Sequence, residues 1–169
     1  KIEIEENDET FYRNYLGGRG VGYRYLLKQV PAGTDPFAPE NILVLATGVM
    51  TGSPLAASCR FAAVGKSPLT GAAGESEAAG FFGPELKKAG FDTIVFQGKS
   101  ETPVYLWVND GKAELKDATD LAALGARAAE DAIREEMGSP KIRVAQTGLA
   151  GMNGVLYANI TNNLGNFNG

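Results

Sequence analysis

A chain of 169 residues can form one domain with a substantial hydrophobic core. Its formal net charge is −4 and it contains no block of lysine or arginine, so a nucleic-acid-binding surface is not expected. The chain has no histidine and a single cysteine, Cys59. One thiol excludes a disulfide framework and is too few for an iron–sulfur cluster, which takes about four thiolates.

The apolar runs of the sequence are short. The run at 42–46 is far below the length of a bilayer-spanning helix, and residues 1–5 do not resemble a secretory signal because they alternate apolar and charged side chains. We therefore expect a cytoplasmic protein that binds neither membranes nor nucleic acid. The 22 glycines cluster between apolar runs, which is typical of tight turns and of close approach by a ligand.

The amino-terminal part of the sequence predicts short helices and strands in irregular order. Asn7 or Asp8 can cap the first helix, and Pro31 ends the second. Pro84 suits the first turn of a third helix, which Gly90 ends. Helices are predicted over 8–16, 21–30 and 84–89, and strands over 1–5, 42–46, 61–64, 71–75 and 93–97.

The carboxy-terminal part predicts a hairpin, one long helix and two more strands. The hairpin turns at 109–111, an Asn-Asp-Gly sequence. Thr119 or Asp120 can cap the helix, and Gly138 ends it. The hairpin strands are predicted at 104–108 and 112–116, the helix at 121–137, the last strands at 142–146 and 155–160, and a loop at 162–169. Hairpins without a strict strand–helix–strand repeat predict an α+β fold with mixed or antiparallel sheets.

Two familiar glycine-rich nucleotide motifs are excluded by spacing. The Gly-Lys-Ser triplets at 65–67 and 98–100 lack the first glycine of a phosphate-binding loop, because Arg60 and Thr93 stand there. Residues 18–22 fail the dinucleotide fingerprint, since Tyr23 replaces its third glycine.

Three candidate functional features remain, each with an alternative. Arg60 lies between a turn and a strand, where its guanidinium can bind a phosphate or an oxo-metal anion, or form a structural salt bridge. Glu75 and Glu77 share one face of a strand, where they can hold a divalent cation or form a solvated face. Cys59 is a small buried residue or a reactive thiol.

An ordered series of motifs runs through nearly the whole chain. They read LGGRG at 16–20, DPFAPEN at 35–41, ATGVMTG at 46–52, KSPLTG at 66–71, FGPELKKAGFD at 82–92 and GLAGMN at 148–153. In this series the sequence resembles the N-terminal domain of the tungsten-containing aldehyde ferredoxin oxidoreductases.

The resemblance implies a domain organisation and a fold. Residues 1–169 would be a single N-terminal cofactor-binding domain, truncated from a longer enzyme whose later domains are absent. The fold would be α+β, with two mixed or antiparallel β-sheets and a few flanking helices that form a base for a bis-pterin cofactor. The fragment alone is expected to be inactive and to contain no catalytic residue.

The resemblance also implies an activity and partners. The parent enzyme would oxidise aldehydes to carboxylic acids and pass the electrons to ferredoxin. It would use a tungsten or molybdenum bis-pterin with Mg²⁺, and a 4Fe–4S cluster ligated outside this segment. Its partners would be ferredoxin, the remaining domains of the same polypeptide and, in a homo-oligomer, further copies. The alternatives are a non-catalytic pterin-binding scaffold, or a related family enzyme acting on an acyl-thioester or aromatic substrate.

The resemblance assigns cofactor-binding roles to specific positions. Arg60 corresponds to an arginine that reaches the cofactor region. Glu77, Ala78, Ala79 and Gly80 match an Asn-Ser-Gly-Gly segment whose backbone contacts the pterin phosphates and a bridging magnesium ion, so Glu77 is expected to bind Mg²⁺ through its backbone carbonyl.

The sequence departs from the family pattern at several of the cofactor-binding positions. Asn166 and Phe167 fall where the family has Arg-Ala, so a phosphate-binding cation is replaced by an amide. Glu77 replaces an amide and Ala79 replaces a glycine. The carboxylate of Glu77 would repel phosphate unless Mg²⁺ intervenes.

Overall fold

The computed structural model describes residues 1–168, which form five helices and nine strands. The helices are α1 (Glu9–Tyr15), α2 (Gly18–Gln29), α3 (Phe82–Lys88), α4 (Ala126–Glu136) and α5 (Gly148–Met152). The strands are β1 (Ile42–Thr47), β2 (Phe61–Lys66), β3 (Ala73–Ala78), β4 (Thr93–Gln97), β5 (Val104–Asn109), β6 (Lys112–Asp117), β7 (Ala145–Gln146), β8 (Ile160–Asn162) and β9 (Asn166–Asn168). The α+β class expected from the sequence is confirmed.

All strand pairs within residues 1–168 are antiparallel, and they form three sheets. The main sheet has the order β3-β2-β1-β4. Strands β5 and β6 pair only with each other, and β7, β8 and β9 form a small third sheet in that order. The structure therefore has one sheet more than the two expected, because the β5–β6 hairpin does not join an edge of either neighbour.

Residues 42–46 of β1 are all apolar, and side chains on both faces of the strand are buried. Val44 and Ala46 face α1 and α2, in a core with Val21 and Tyr25 of α2. Leu45 points to the opposite side. There it packs with the buried residues Phe61, Ala63 and Ala78, against Phe82 of α3 and Ile160 of β8.

Helix α2 approaches the main sheet unusually closely at Gly22. A Cβ atom on Gly22 would lie 2.4 Å from the Cγ2 of Val64 in β2, so any larger residue would force the helix away from the sheet. α2 is also the longest described helix, with 12 residues. None of the helices in residues 1–168 combines the length and apolar character needed to cross a membrane.

The first helix forms as predicted, but the strand at 1–5 is wrong. The backbone N–H of Phe11 donates to the Asp8 carboxylate at 2.8 Å, so Asp8 is the cap. Leu16 ends α1 in the left-handed region, with φ 54°. Residues 1–5 alternate as a strand does, but no neighbouring strand pairs with them and their side chains are exposed.

The predicted start of the fourth helix is also wrong. Residues 121–124 form turns, with the N–H of Leu121 donating to the carbonyl of Ala118 and that of Leu124 to Leu121. α4 begins after Gly125, whose backbone is extended at φ −68° and ψ 156°. The apolar spacing from 121 onward therefore belongs to two segments, and neither Thr119 nor Asp120 caps the helix.

The carboxy-terminal region differs most from the prediction. The strand expected at 142–146 is reduced to β7, and the strand expected at 155–160 begins only at Ile160. The short helix α5 was not predicted, and the expected loop at 162–169 contains β9. Asparagine amides support this hairpin in place of alternating apolar residues, which explains why a hydrophobic pattern does not reveal it.

Candidate functional site

Two connections of the main sheet, one long and one short, leave from the same end. β1 ends at Thr47, which pairs with Phe61 at the start of β2, and Phe61 pairs with Ala78 at the end of β3. The connection 48–60 joins β1 to β2, and the turn 79–81 leads from β3 into α3. We call these two segments, with the strand ends that they join, the sheet end. It contains most of the residues that the sequence singled out.

Arg60 is the last residue of connection 48–60 and its side chain is exposed. Its backbone is fixed by Thr51, a buried residue whose hydroxyl donates to the Arg60 carbonyl at 2.8 Å and accepts from the N–H of Gly48 at 3.0 Å. No ion pair holds the Arg60 guanidinium within residues 1–168. The salt bridge considered from the sequence is therefore absent there, and the guanidinium is available to an anion.

The β8–β9 hairpin closes on the turn that follows β3. Gly80 has φ +103°, and a Cβ atom on it would lie 2.6 Å from Asn162 Oδ1 and 2.7 Å from Asn166 Nδ2. Asn162 is fully buried, and its Nδ2 donates to the carbonyl of Ala79 at 3.2 Å and to that of Asn166 at 3.3 Å. The structure thus brings together three predicted positions, Ala79, Gly80 and Asn166.

The other predicted positions lie around this contact. Ala78 is buried beneath it and pairs with Phe61 at the end of the β2–β3 ladder. Arg60 comes directly before Phe61 in the chain and Ala79 directly after Ala78, so both flank this pair. Phe167 neighbours Asn166 on β9, so its side chain points to the opposite face of the hairpin, and it is 55% exposed. Cys59 is half-buried and forms no disulfide.

Sequence reasoning missed two buried asparagines at this site, Asn162 and Asn168. Asn168 is 2% exposed, and its Nδ2 donates to the carbonyl of Ser76 at 3.3 Å, which attaches β9 to the edge of β3. The Oδ1 atoms of Asn162 and Asn168 are buried acceptors without a donor in residues 1–168. The available signal was compositional, since five of the ten residues 159–168 are asparagine.

A second missed residue is Arg19, in the first turn of α2. Its Nη1 lies 3.1 Å from Glu75 Oε1, and its Nη2 lies 2.9 Å from Glu77 Oε1. The hydrogen bond to Glu77 and the charges of both carboxylates raise the pKa of Arg19 above its ordinary value. Glu75 and Glu77 do share one strand face, but a guanidinium occupies the position between them.

The site offers few protein ligands to a metal ion. No group of three or more His, Cys, Asp or Glu side chains that could hold a metal occurs within residues 1–168. The side chains of Glu75 and Glu77 are already engaged by Arg19. A metal at the sheet end would therefore depend on backbone carbonyls and on oxygens of a bound ligand.

Comparison with known proteins places the chain in a family. The model of the aldehyde ferredoxin oxidoreductase N-terminal domain matches residues 1–169. The chain belongs to the aldehyde ferredoxin oxidoreductase family. The tungsten-containing aldehyde ferredoxin oxidoreductase of Pyrococcus furiosus is 42% identical over 161 residues, which are 95% of this chain and 27% of that enzyme. The resemblance found in the sequence motifs is confirmed.

Two further relatives of this family domain have other named activities. The active site complex of benzoyl coenzyme A reductase, solved with 1,5-dienoyl-CoA, superposes with a TM-score of 0.92 at 40% identity, covering 96% of this chain and 25% of that one. The WOR-like subunit of an aliphatic sulfonate oxidoreductase of Pyrococcus furiosus is 34% identical over 128 residues, which are 74% of this chain and 20% of that subunit. The chain spans about a quarter of the length of the curated aldehyde ferredoxin oxidoreductases it matches.

The residues at the sheet end fit the phosphate portion of a pterin cofactor. Arg60 presents an exposed guanidinium, which matches phosphate oxygens in forked geometry. Gly80 lets the amides of Asn162 and Asn166 close on the backbone after β3, and the Nδ2 of Asn166 is a hydrogen-bond donor of the kind that a phosphate oxygen accepts. The carboxylates of Glu75 and Glu77 are both paired with Arg19.

Proposed function

We propose that this chain is the N-terminal cofactor-binding domain of a tungsten- or molybdenum-dependent oxidoreductase. The observation that carries the proposal is that Asn166 lies against Gly80 at the end of β3 where Arg60 flanks the β2–β3 ladder, in a chain of the aldehyde ferredoxin oxidoreductase family. When bound, a tungsten or molybdenum bis-pterin supplies the two-electron chemistry, and the protein supplies placement and electrostatics.

Each predicted residue receives a binding role and none a catalytic one. Arg60 donates hydrogen bonds to a phosphate or to the pterin. The backbone of residues 77–80 would hold the phosphates, and the carbonyl of Glu77 would be a ligand of Mg²⁺. The Asn166 amide and the backbone of Phe167 close the site from the β8–β9 hairpin.

The remaining parts of the enzyme lie outside these residues. A single cysteine cannot hold a 4Fe–4S cluster, so its ligands come from the remaining domains. Ferredoxin accepts the electrons, and the enzyme forms a homo-oligomer or acts as a single copy. Residues 1–169 alone are expected to be inactive, and the complete enzyme is expected in the cytoplasm.

Aldehydes are the proposed substrates, and an aromatic acyl-thioester is the second candidate. The first is supported by 42% identity to an aldehyde ferredoxin oxidoreductase, and the second by 40% identity and a TM-score of 0.92 to a benzoyl coenzyme A reductase complex. Assays of the full-length protein separate the two, with oxidised ferredoxin as electron acceptor for an aldehyde and reduced ferredoxin as electron donor for a benzoyl thioester. Turnover of the thioester alone would reject the aldehyde proposal.

Metal content tests the cofactor proposal directly. We expect about one tungsten or molybdenum and about four irons per chain in the full-length protein purified without oxygen. Arg60→Gln is expected to lower the tungsten and molybdenum content severalfold while iron is retained, because only the pterin site loses a cation. Arg13→Gln, which removes an exposed arginine of α1, is the matched control. Iron without tungsten or molybdenum in the unmodified protein would reject the pterin site, and absence of all three would favour a scaffold.

A further inference from the structure

Glu77 presents an electrostatic problem for the proposed site. It lies in the segment that is expected to contact phosphate, and Glu75 is on the same face of β3, opposite Val64 as Glu77 is opposite Ala62. Two carboxylates beside a phosphate would repel it, because like charges at close range are unfavourable. A phosphate site on this strand therefore requires a positive charge that the segment itself lacks.

Arg19 supplies that charge in a specific geometry. One terminal nitrogen of its guanidinium pairs with Glu75 at 3.1 Å and the other with Glu77 at 2.9 Å. Residues two apart on a strand project to the same face, and the rigid fork of a guanidinium can reach both. The side chains of Glu75 and Glu77 are 25% and 33% exposed and that of Arg19 is 58% exposed, so the three charges pair at the surface of the domain.

The position of Arg19 is fixed by two glycines of α2. A Cβ atom on Gly20 would lie 2.2 Å from the carbonyl oxygen of Tyr15, and one on Gly22 would lie 2.4 Å from Val64 Cγ2. Both contacts hold the first turns of α2 against α1 and β2. Arg19 consequently has little freedom to move away from β3 by a shift of its helix.

The electrostatics of α2 favour the same pairing. The first turn of α2 contains no acidic residue, and its N-cap, Gly17, offers no capping side chain. A cation near a helix amino terminus is unfavourable with respect to the helix dipole, whereas carboxylates there are favourable. Glu75 and Glu77 therefore offset both the charge of Arg19 and the amino-terminal dipole of α2.

We propose that Arg19 is a positioning residue of the phosphate site, an inference that rests on the proposed function. It holds the carboxylates of Glu75 and Glu77 on the α2 face of β3 and neutralises them, so that the end of β3 accepts an anionic phosphate. One guanidinium against two carboxylates leaves one negative charge, which favours a divalent cation beside the phosphate.

The test compares metal content in variants of the full-length protein purified without oxygen. Arg19→Gln leaves two unpaired carboxylates, and we expect roughly tenfold less tungsten and molybdenum per chain than in the unmodified protein. The triple variant Arg19→Gln, Glu75→Gln, Glu77→Gln removes the repulsion and keeps the Glu77 backbone, so its metal content should return to near the original level. Arg13→Gln should leave the metal content unchanged.

Each outcome distinguishes this inference from the proposed function. Absence of tungsten and molybdenum from the unmodified protein rejects the proposed function itself. If that protein contains metal and Arg19→Gln retains it, the role of Arg19 is rejected and the function stands. If the triple variant loses metal as fully as Arg19→Gln, then Arg19 acts through packing or by direct contact, and the neutralisation proposed here is wrong.

A second variant keeps the test informative if Arg19→Gln does not fold. Arg19→Lys preserves the charge but cannot hold both carboxylates in a fork. We expect the Arg19→Lys variant to contain less tungsten and molybdenum than the unmodified protein. Adding Glu75→Gln to it should restore part of that loss, because one lysine can neutralise the remaining Glu77. No gain on adding Glu75→Gln would overturn the inference.

Discussion

Gly80 shows how one residue without a side chain permits the contact between β3 and the β8–β9 hairpin. Its φ of +103° is rarely adopted by other residues, and the space for a Cβ atom is already taken by the amides of Asn162 and Asn166. Gly80 therefore combines a positive φ with a lack of space for a Cβ atom. Gly33 has the positive φ alone, since its φ is +83° and nothing lies within 4 Å of its missing Cβ.

Gly80→Ala is therefore expected to lower the free energy of unfolding more than Gly33→Ala does. The first variant should lose about 2–4 kcal/mol, from backbone strain and from displacement of two amides, and the second about 1–2 kcal/mol, from strain alone. Urea denaturation of both variants measures the difference. Equal losses would show that the Asn162 and Asn166 amides move aside without cost.

One of the close contacts of helix α2 with the main sheet is between Gly22 and Val64 of β2. This contact helps to hold the helix that carries Arg19 against the sheet. It can be tested by a pair of substitutions, because the obstacle to a larger residue at 22 is a side chain and can be shortened.

Gly22→Ala should destabilise the protein by about 1–3 kcal/mol, since the added methyl group overlaps Val64. Val64→Ala alone should cost about 2 kcal/mol by leaving a cavity. In the double variant the new methyl group fills that space, so the combined loss should be smaller than the sum of the two. Additive losses in urea denaturation would contradict the packing described here.

Elements with a local signal could be predicted from the sequence, and elements supported by distant contacts could not. Asp8 and the Asn-Asp-Gly turn at 109–111 have local signatures, and the helix and hairpin that they mark are present. The β8–β9 hairpin has no apolar alternation and depends on Asn162 reaching Ala79, 83 positions earlier. The strand expected at 1–5 has the alternation but no partner.

The residues of the candidate site also differ in whether a local sequence signal reveals them. Motif resemblance pointed to Arg60 and to residues 77–80, because these lie in contiguous stretches. Arg19 was missed because its partner Glu77 is 58 positions away, and no local pattern records that α2 and β3 are neighbours. The charge balance of the site therefore became visible only in three dimensions.

For the molecule as a whole, a buried ionisable group in α4, Glu130, makes stability depend on pH. Glu130 is 1% exposed, and its Oε2 has no hydrogen-bond partner within residues 1–168. Burial raises the pKa of Glu130 above 4.5, although the pairing with Arg134 opposes the shift. A raised pKa in the folded state means that folding takes up a proton between the unfolded and folded values.

The stability contributed by protonated Glu130 should be present below about pH 4.5 and lost as the pH rises through its raised pKa. Glu130→Gln removes this titration, so the free energy of unfolding of the variant should depend less on pH than that of the unmodified protein. The two slopes should differ by up to about 1.4 kcal/mol per pH unit across that interval. Unfolding measured from pH 4 to 8 gives the comparison. Glu135→Gln, an exposed residue of the same helix, should follow the unmodified protein. Parallel curves for all three proteins would contradict the prediction.

The pairing register of β2 and β3 makes the site sensitive to the length of a distant turn. Residues 67–72 connect these strands at the opposite end of the sheet, closed by the Ser67 N–H donating to the Ala72 carbonyl at 2.8 Å. Successive residues of a strand face opposite sides, so one residue inserted in this turn would exchange the two faces of β3. Glu75 and Glu77 would then face the asparagines, and Ala78 would face Arg19. The number of residues in a solvent-exposed turn thus decides whether the carboxylates meet their counter-ion.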